Sequence, residues 1–149
     1  MLKDGLPWKK TLKGGSYFAA LIKNVITYQA EEMIITADGE SITGMFLLLA
    51  VCNGAYYGGH LHIAPPAVIN DGYMTLCLVR QMRRLKLVAL FPSVKPGRHT
   101  GFKEVSFINC TKLKLEYDGK KTINMDGNLY EFESPLHFEI IHKAVKMIV

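Results

Sequence analysis

Apolar and polar residues change their spacing along the chain, and the changes mark the elements. Phe18, Leu21, Ile22, Val25 and Ile26 recur at helical spacing, and Ser16 stands where an N-cap would, which predicts a helix over residues 17–28. The pattern then turns to strands. Residues 33–37 are β-branched and apolar, Asp38-Gly39 is a hairpin dipeptide, and residues 45–52 are continuously apolar, as expected of a strand buried on both faces. Residues 73–79 predict a further strand. Over residues 81–91 helical spacing returns, with Met82, Leu85, Val88 and Ala89 placed inward, Arg83, Arg84 and Lys86 facing water, and Pro92 as the stop.

From Val105 onward the pattern predicts a β-meander. Leu113, Leu115 and Tyr117 alternate with Lys112, Lys114 and Glu116, and the turns Asp118-Gly119 and Asp126-Gly127 separate further alternating stretches that end in the apolar residues 144–149. Short strands with Asp-Gly turns at this density predict a mainly β fold, an antiparallel β-sandwich with one or two helices, as a single domain over residues 1–149.

Composition narrows the function classes. A chain of 149 residues, 49% hydrophobic and 21% charged, is long enough for one core and carries no sign of disorder or repeats. Cys52, Cys77 and Cys110 are scattered and odd in number, so neither a disulfide framework nor a zinc site is expected, and buried thiols in a reducing cytoplasm fit best. The longest apolar run falls far short of the roughly 20 residues of a membrane span, so a soluble, cytoplasmic protein is expected. The net charge of +5 favours anionic partners: nucleic acid, phosphates or an acidic membrane surface. No helix-turn-helix or RNP-like pattern accompanies Arg80, Arg83, Arg84 and Lys86, so nucleic acid is not expected, although a basic nucleic-acid-binding or regulatory module stays open as an alternative.

One stretch carries specific chemistry. Asn53-Gly-Ala-Tyr-Tyr-Gly-Gly59, Ile63-Ala-Pro65 and Ile69-Asn-Asp-Gly-Tyr73 resemble the core of bacterial diacylglycerol and related lipid kinases, and more loosely that of sphingosine kinases. The resemblance continues through Gly97-Arg-His99 and Asn124-Met-Asp-Gly127. It implies a two-domain enzyme in which an α/β domain binds ATP on a G-G-D-G-T-type loop and a C-terminal β-sandwich closes the cleft. Only the second half matches here, and no glycine-rich phosphate loop occurs; Gly14-Gly15-Ser16 reads as a helix start. A fragment, a truncated gene product and one half of a split enzyme are the open origins, with the ATP-binding half expected on a separate domain or chain. NAD kinase, whose C-terminal domain is topologically similar, is a second enzyme reading.

The resemblance implies a Mg²⁺ held by the Asp71 carboxylate, the main-chain carbonyls of Tyr73 and Val68, and waters, which is hard-cation chemistry. A plain turn aspartate is the bland alternative. Asn70 stands where the family has a first aspartate, which removes a negative charge. The family's C-terminal D-G-E, whose glutamate takes the proton from the lipid hydroxyl, reads Asp126-Gly127-Asn128 here, and an amide cannot be a general base. Asp38-Gly39-Glu40 corresponds to an ordinary hairpin turn, and Glu131 and Glu133 are displaced from the required position. His60 and His62 would share a strand face that could suit a metal, but without a third ligand they read as packing or turn residues; His99 stands in a basic loop, either solvated or meeting a phosphate or lipid headgroup; and Tyr56 and Tyr57, which could stack on a ligand, read as an aromatic pair of core and rim. The resemblance implies a lipid substrate such as diacylglycerol, Mg²⁺ and ATP as cofactors, ATP only with an N-terminal domain, and a chain that is inert alone. Peripheral contact at the inner face of the membrane is a further option.

Overall fold

The computed structural model describes residues 29–58 and 60–144; the predicted helix over 17–28, Gly59 and residues 145–149 lie outside them. Eight strands follow in order: β1 (Glu31–Ala37), β2 (Glu40–Cys52), β3 (Met74–Arg80), β4 (Val105–Cys110), β5 (Lys112–Tyr117), β6 (Lys120–Met125), β7 (Asn128–Glu133) and β8 (Leu136–Glu139). One helix, α1 (Arg84–Val94), and a 3-10 turn (Arg98–Gly101) lie between β3 and β4. Six strands form one antiparallel sheet in the order β4-β3-β2-β1-β5-β8, and β6 and β7 pair only with each other.

Connectivity forces this sheet to roll. β4 is one edge and β5 lies four places away, yet a single residue, Thr111, joins them. A flat sheet with strands about 4.8 Å apart cannot be bridged by one residue across four spacings, so the two halves must fold face to face. The enclosed face holds the main core: Ile35, Ala37, Phe46, Met74, Leu76, Leu78, Cys110, Leu113 and Leu115. The mainly β sandwich expected from the sequence is therefore the observed architecture, with one helix among the described residues.

The β1-β2 turn locks the corner. Asp38 takes φ +46° and Gly39 φ +96°, the backbone of a primed two-residue hairpin turn. The Asp38 carboxylate accepts hydrogen bonds from the Thr111 N–H (3.0 Å), the Thr111 hydroxyl (2.8 Å) and the Lys112 N–H (2.8 Å). The two backbone N–H groups, then the hydroxyl, hold its pKa below the ordinary 3.8. A carboxyl with a depressed folded pKa contributes stability above its unfolded value and loses it as pH falls through the folded one. Asp38→Asn should lower Tm by several degrees at neutral pH and shrink the loss of Tm below pH 3.8; circular dichroism melts across pH check both, and an equal deficit at every pH would contradict the charge-based lock.

Several local expectations are corrected. β2 is not buried on both faces: Phe46 is fully buried, but Met45 and Leu48 are each 41% exposed, because the cluster under α1 takes in β2 only at Leu47 and Ala50, both partly buried. The doubly buried strand is β3, with six of its seven residues buried. Strands 105–139 form where the alternation places them but do not pair as a meander; β4 pairs with β3, and the β6-β7 ribbon leaves the sheet between β5 and β8. The helix starts later and runs past Pro92 to Val94. The Arg80 N–H bonds the Glu104 carbonyl and the Gln81 N–H bonds the Met45 carbonyl, which keeps residues 80–81 extended. Pro92 falls in the last turn, where its missing N–H removes one bond only. The helix face is also rotated: Leu87 and Leu90 are buried, whereas Leu85 is 87% exposed and Ala89 is exposed.

Candidate functional site

The loop between β2 and β3 folds back on itself and is pinned at five places. The Tyr57 N–H donates to the Leu61 carbonyl (2.9 Å) and the Leu61 N–H to the Tyr57 carbonyl (3.0 Å), closing a tight turn that His60 enters at φ +64°. The Ala64 N–H reaches back to the Ala55 carbonyl (3.2 Å). Gly54 lies so close to Ile69 that an added Cβ would stand 3.2 Å from the Ile69 side chain, which draws the Asn53-Gly54 end of the loop against the Asp71 turn. The His62 ring stacks on Tyr56 (centroids 4.4 Å, planes 10° apart) and covers Gly97, where a Cβ would meet its Nδ1 at 2.6 Å.

His99 supplies the fifth pin. It is 2% exposed, its Nε2 bonds the Ile63 carbonyl at 3.0 Å, and its ring meets Phe107 edge-on at 5.7 Å. It is therefore a buried tie between the 3-10 turn and the loop, not a solvated loop residue. His60 and His62 do not share a strand face, since the segment is a turn, and Tyr56 (66% exposed) and Tyr57 (40% exposed) both stand at the rim, so neither enters the core. His99→Ala removes a buried ring and a buried hydrogen bond and should cost about 2–4 kcal/mol in urea denaturation. His99→Gln, which keeps an amide donor, should recover part of it.

Asp71 sits at the exposed end of this loop. Its Oδ1 accepts the Tyr73 N–H at 2.9 Å, an Asx turn completed by Gly72 at φ +83°. Only glycine fits there, because an added Cβ would also stand 2.9 Å from Nδ1 of His142. Val68 and Tyr73 lie on the same turn region and are half-exposed. Among the described residues no three His, Cys, Asp or Glu side chains form a metal-ligating cluster, so a cation here would rest on one carboxylate, carbonyls and water. The exposed Asp71 carboxylate, with one oxygen tied to Tyr73, fits that donor set.

Asp126 and Asn128 lie elsewhere in the fold, on the β6-β7 ribbon. Asp126 (φ +49°) and Gly127 (φ +94°) form a second primed turn, the Asn124 Oδ1 accepts the Gly127 N–H (2.8 Å), and Asn128 opens β7 opposite Met125, exposed. The ribbon is anchored at its base by the Lys121–Glu31 ion pair (2.6 Å) and by the Tyr117 hydroxyl, which donates to the Phe132 carbonyl (3.2 Å). No hydrogen bond or ion pair among the described residues links Asp126 or Asn128 to the Asp71 turn. A depression of about 370 Å³ is lined by Thr36, Asp38, Lys112, Lys114, His137 and Glu139, among others, and takes no residue from the Asp71 loop.

All three cysteines are free. Burial, then the neighbouring Cys52, pushes the Cys77 thiol up to about 12, and burial, then Asp38, pushes Cys110 up to about 11. Both are core thiols, as the sequence suggested, whereas Cys52, expected to be buried too, is only partly so. The residues that sequence reasoning missed are Asp38 and His99 in their roles as ties. Each is joined to a partner tens of residues away, and no local pattern signals that.

Residues 7–149 match the YegS C-terminal NAD kinase beta sandwich-like domain. The chain belongs to that family. It is 24% identical over 141 residues to a "Probable lipid kinase YegS-like" protein of Shewanella frigidimarina, covering 95% of this chain and 45% of the relative. It is 30% identical over 125 residues to a "Diacylglycerol kinase" of Mycobacterium tuberculosis, covering 83% of this chain and 39% of the relative. A solved structure titled as a putative diacylglycerol kinase from Bacillus anthracis superposes with a TM-score of 0.66 at 18% identity, over 81% of this chain and 41% of that one. The chain thus spans less than half the length of these relatives, and its fold is that of the C-terminal β-sandwich of diacylglycerol kinase-like proteins. No helix among the described residues is long and apolar enough to cross a membrane.

Proposed function

We propose that this domain is the metal-organising and lipid-facing half of an ATP-dependent lipid kinase, acting on a lipid alcohol such as diacylglycerol once an ATP-binding half is present. The observation that carries the proposal is the Asx turn at Asp71, held on a loop pinned at several points inside a domain of the YegS family. Bound there, a Mg²⁺ would neutralise charge on the phosphates during transfer. Asp71 would hold it with the carbonyls of Val68 and Tyr73. Gly72 and the Tyr73 N–H fix the carboxylate, and the hydrogen bonds of His99 and Tyr57 fix the loop that carries it.

Positioning and electrostatics provide most of phosphoryl-transfer catalysis. A chain without a glycine-rich phosphate loop should therefore transfer no phosphate from ATP to diacylglycerol by itself. The direct test is a Mg²⁺ titration followed by amide NMR: shifts are expected at residues 68–73 in the native chain and none in Asp71→Asn. Shifts that persist unchanged in Asp71→Asn, or their absence in the native chain at millimolar Mg²⁺, would refute the metal role.

A further inference from the structure

We propose that His142 adds a nitrogen donor to the Asp71 cation site, so that the site takes a divalent first-row transition ion more tightly than Mg²⁺. The proposal rests on the reading of Asp71 as a metal ligand and concerns which ion that carboxylate holds. Topology brings His142 there. Met74 pairs with Cys110 where β3 begins and β4 ends, Thr111 follows Cys110, and the Thr111 carbonyl accepts the Ile140 N–H at 3.0 Å, so the chain leaving β8 runs past the Asp71 turn. Residues 141–144 then close a turn of their own: the Ala144 N–H donates to the Ile141 carbonyl (3.3 Å) and Lys143 takes φ +56°.

That turn sets the imidazole against Gly72. A Cβ on Gly72 would stand 2.9 Å from Nδ1, 3.4 Å from Cγ and 3.5 Å from Cε1 of His142, so the ring presents its Nδ1 edge to the Asp71 turn. The Gly72 Cα is about 3.8 Å from the Cα atoms of Asp71 and Tyr73, one peptide away on either side. The nitrogen therefore lies beside the residue whose two neighbours would supply the carboxylate and a carbonyl. His142 is exposed and makes no hydrogen bond, ion pair or ring contact among the described residues, which leaves the imidazole open to a ligand. Donor chemistry then decides the ion. Mg²⁺ takes oxygen donors and sheds its waters reluctantly. An imidazole nitrogen suits iron, nickel, copper and zinc, and affinity for such sites rises along the first row from manganese to copper. One nitrogen added to the oxygens of the turn tips the site towards that series.

The experiment titrates the chain with Mg²⁺ and, separately, with Co²⁺, a first-row ion whose bound imidazoles give contact-shifted proton resonances. Amide NMR at residues 68–73 reads occupancy of the turn by either ion. Co²⁺ is expected to bind there more tightly than Mg²⁺ and to bring out a contact-shifted imidazole resonance. His142→Ala should remove that resonance and weaken Co²⁺ about 10- to 100-fold, the scale on which loss of a group supporting a metal lowers affinity, while Mg²⁺ changes little. His137→Ala, which removes another exposed histidine, on β8, should change neither ion at these residues. Asp71→Asn should abolish both. Co²⁺ binding that is no tighter than Mg²⁺, that is unchanged in His142→Ala, or that comes without the imidazole resonance overturns the proposal, leaves the metal role of Asp71 standing and reduces the contact to packing on Gly72. If neither ion perturbs residues 68–73, the metal reading of Asp71 falls and this proposal falls with it.

Discussion

In a two-domain protein rebuilt with a competent ATP-binding half, Asn128→Glu should raise phosphoryl transfer by about 10²–10⁴-fold, the usual contribution of a general base. The present side chain is an amide, which accepts hydrogen bonds but takes no proton at neutral pH. The structure makes the experiment clean. Asn128 opens β7 in an exposed position after a primed turn, its side chain enters neither core cluster, and a longer carboxylate fits without displacing packing. Asn128→Gln is the matched control, restoring length without basicity, and should give no gain. Initial rates with diacylglycerol at saturating ATP decide the matter. A rebuilt enzyme that already runs at ordinary kinase rates with Asn128 in place would show that another group accepts the proton.

The largest effect on stability is expected at Phe46. This ring is fully buried at the β-bulge where β2 meets β3, and the Arg80 guanidinium stands 5.3 Å from its centroid. Phe46→Ala should cost about 3–5 kcal/mol, lost burial plus the cavity left behind. Against the roughly 5–15 kcal/mol typical of a domain, that leaves a protein near its unfolding threshold. Urea denaturation should show a lower midpoint at an unchanged slope, and Phe46→Leu should lose substantially less. A Phe46→Ala midpoint within error of the native chain would mean that the rolled sheet does not close on this side chain.

What could be read from the chain follows the range of the interactions involved. Residues 33–37, 73–79 and the three Asp-Gly turns were legible because alternation and turn chemistry are local. The inward face of α1 was not, since apolar residues occur on both sides of that helix and only the position of the sheet decides which side is buried. The burial of β2 was overestimated for the same reason: Met45 and Leu48 look like core until it is known that α1 stops short of them. His99 answers to Ile63, 36 residues away, and Asp38 to Thr111, 73 residues away. At the candidate site, the residue types at Asp71 and Asn128 were plain from the sequence, whereas the ties that hold the Asp71 loop, Tyr56 on His62 and His99 on Ile63, are tertiary.

The single-residue corner at Thr111 also has a consequence for how the chain is made. β1 pairs with β5 across a sequence separation of roughly 80 residues, so the β1-β2 hairpin, a local and fast-forming unit, must wait with one edge bare until β5 has been synthesised. A bare edge bearing Ile34 and Ile35 is a template for pairing with another nascent chain. Glu31 and Glu32, side by side at the start of that strand, place two negative charges where such pairing would begin and supply a gatekeeper during the interval.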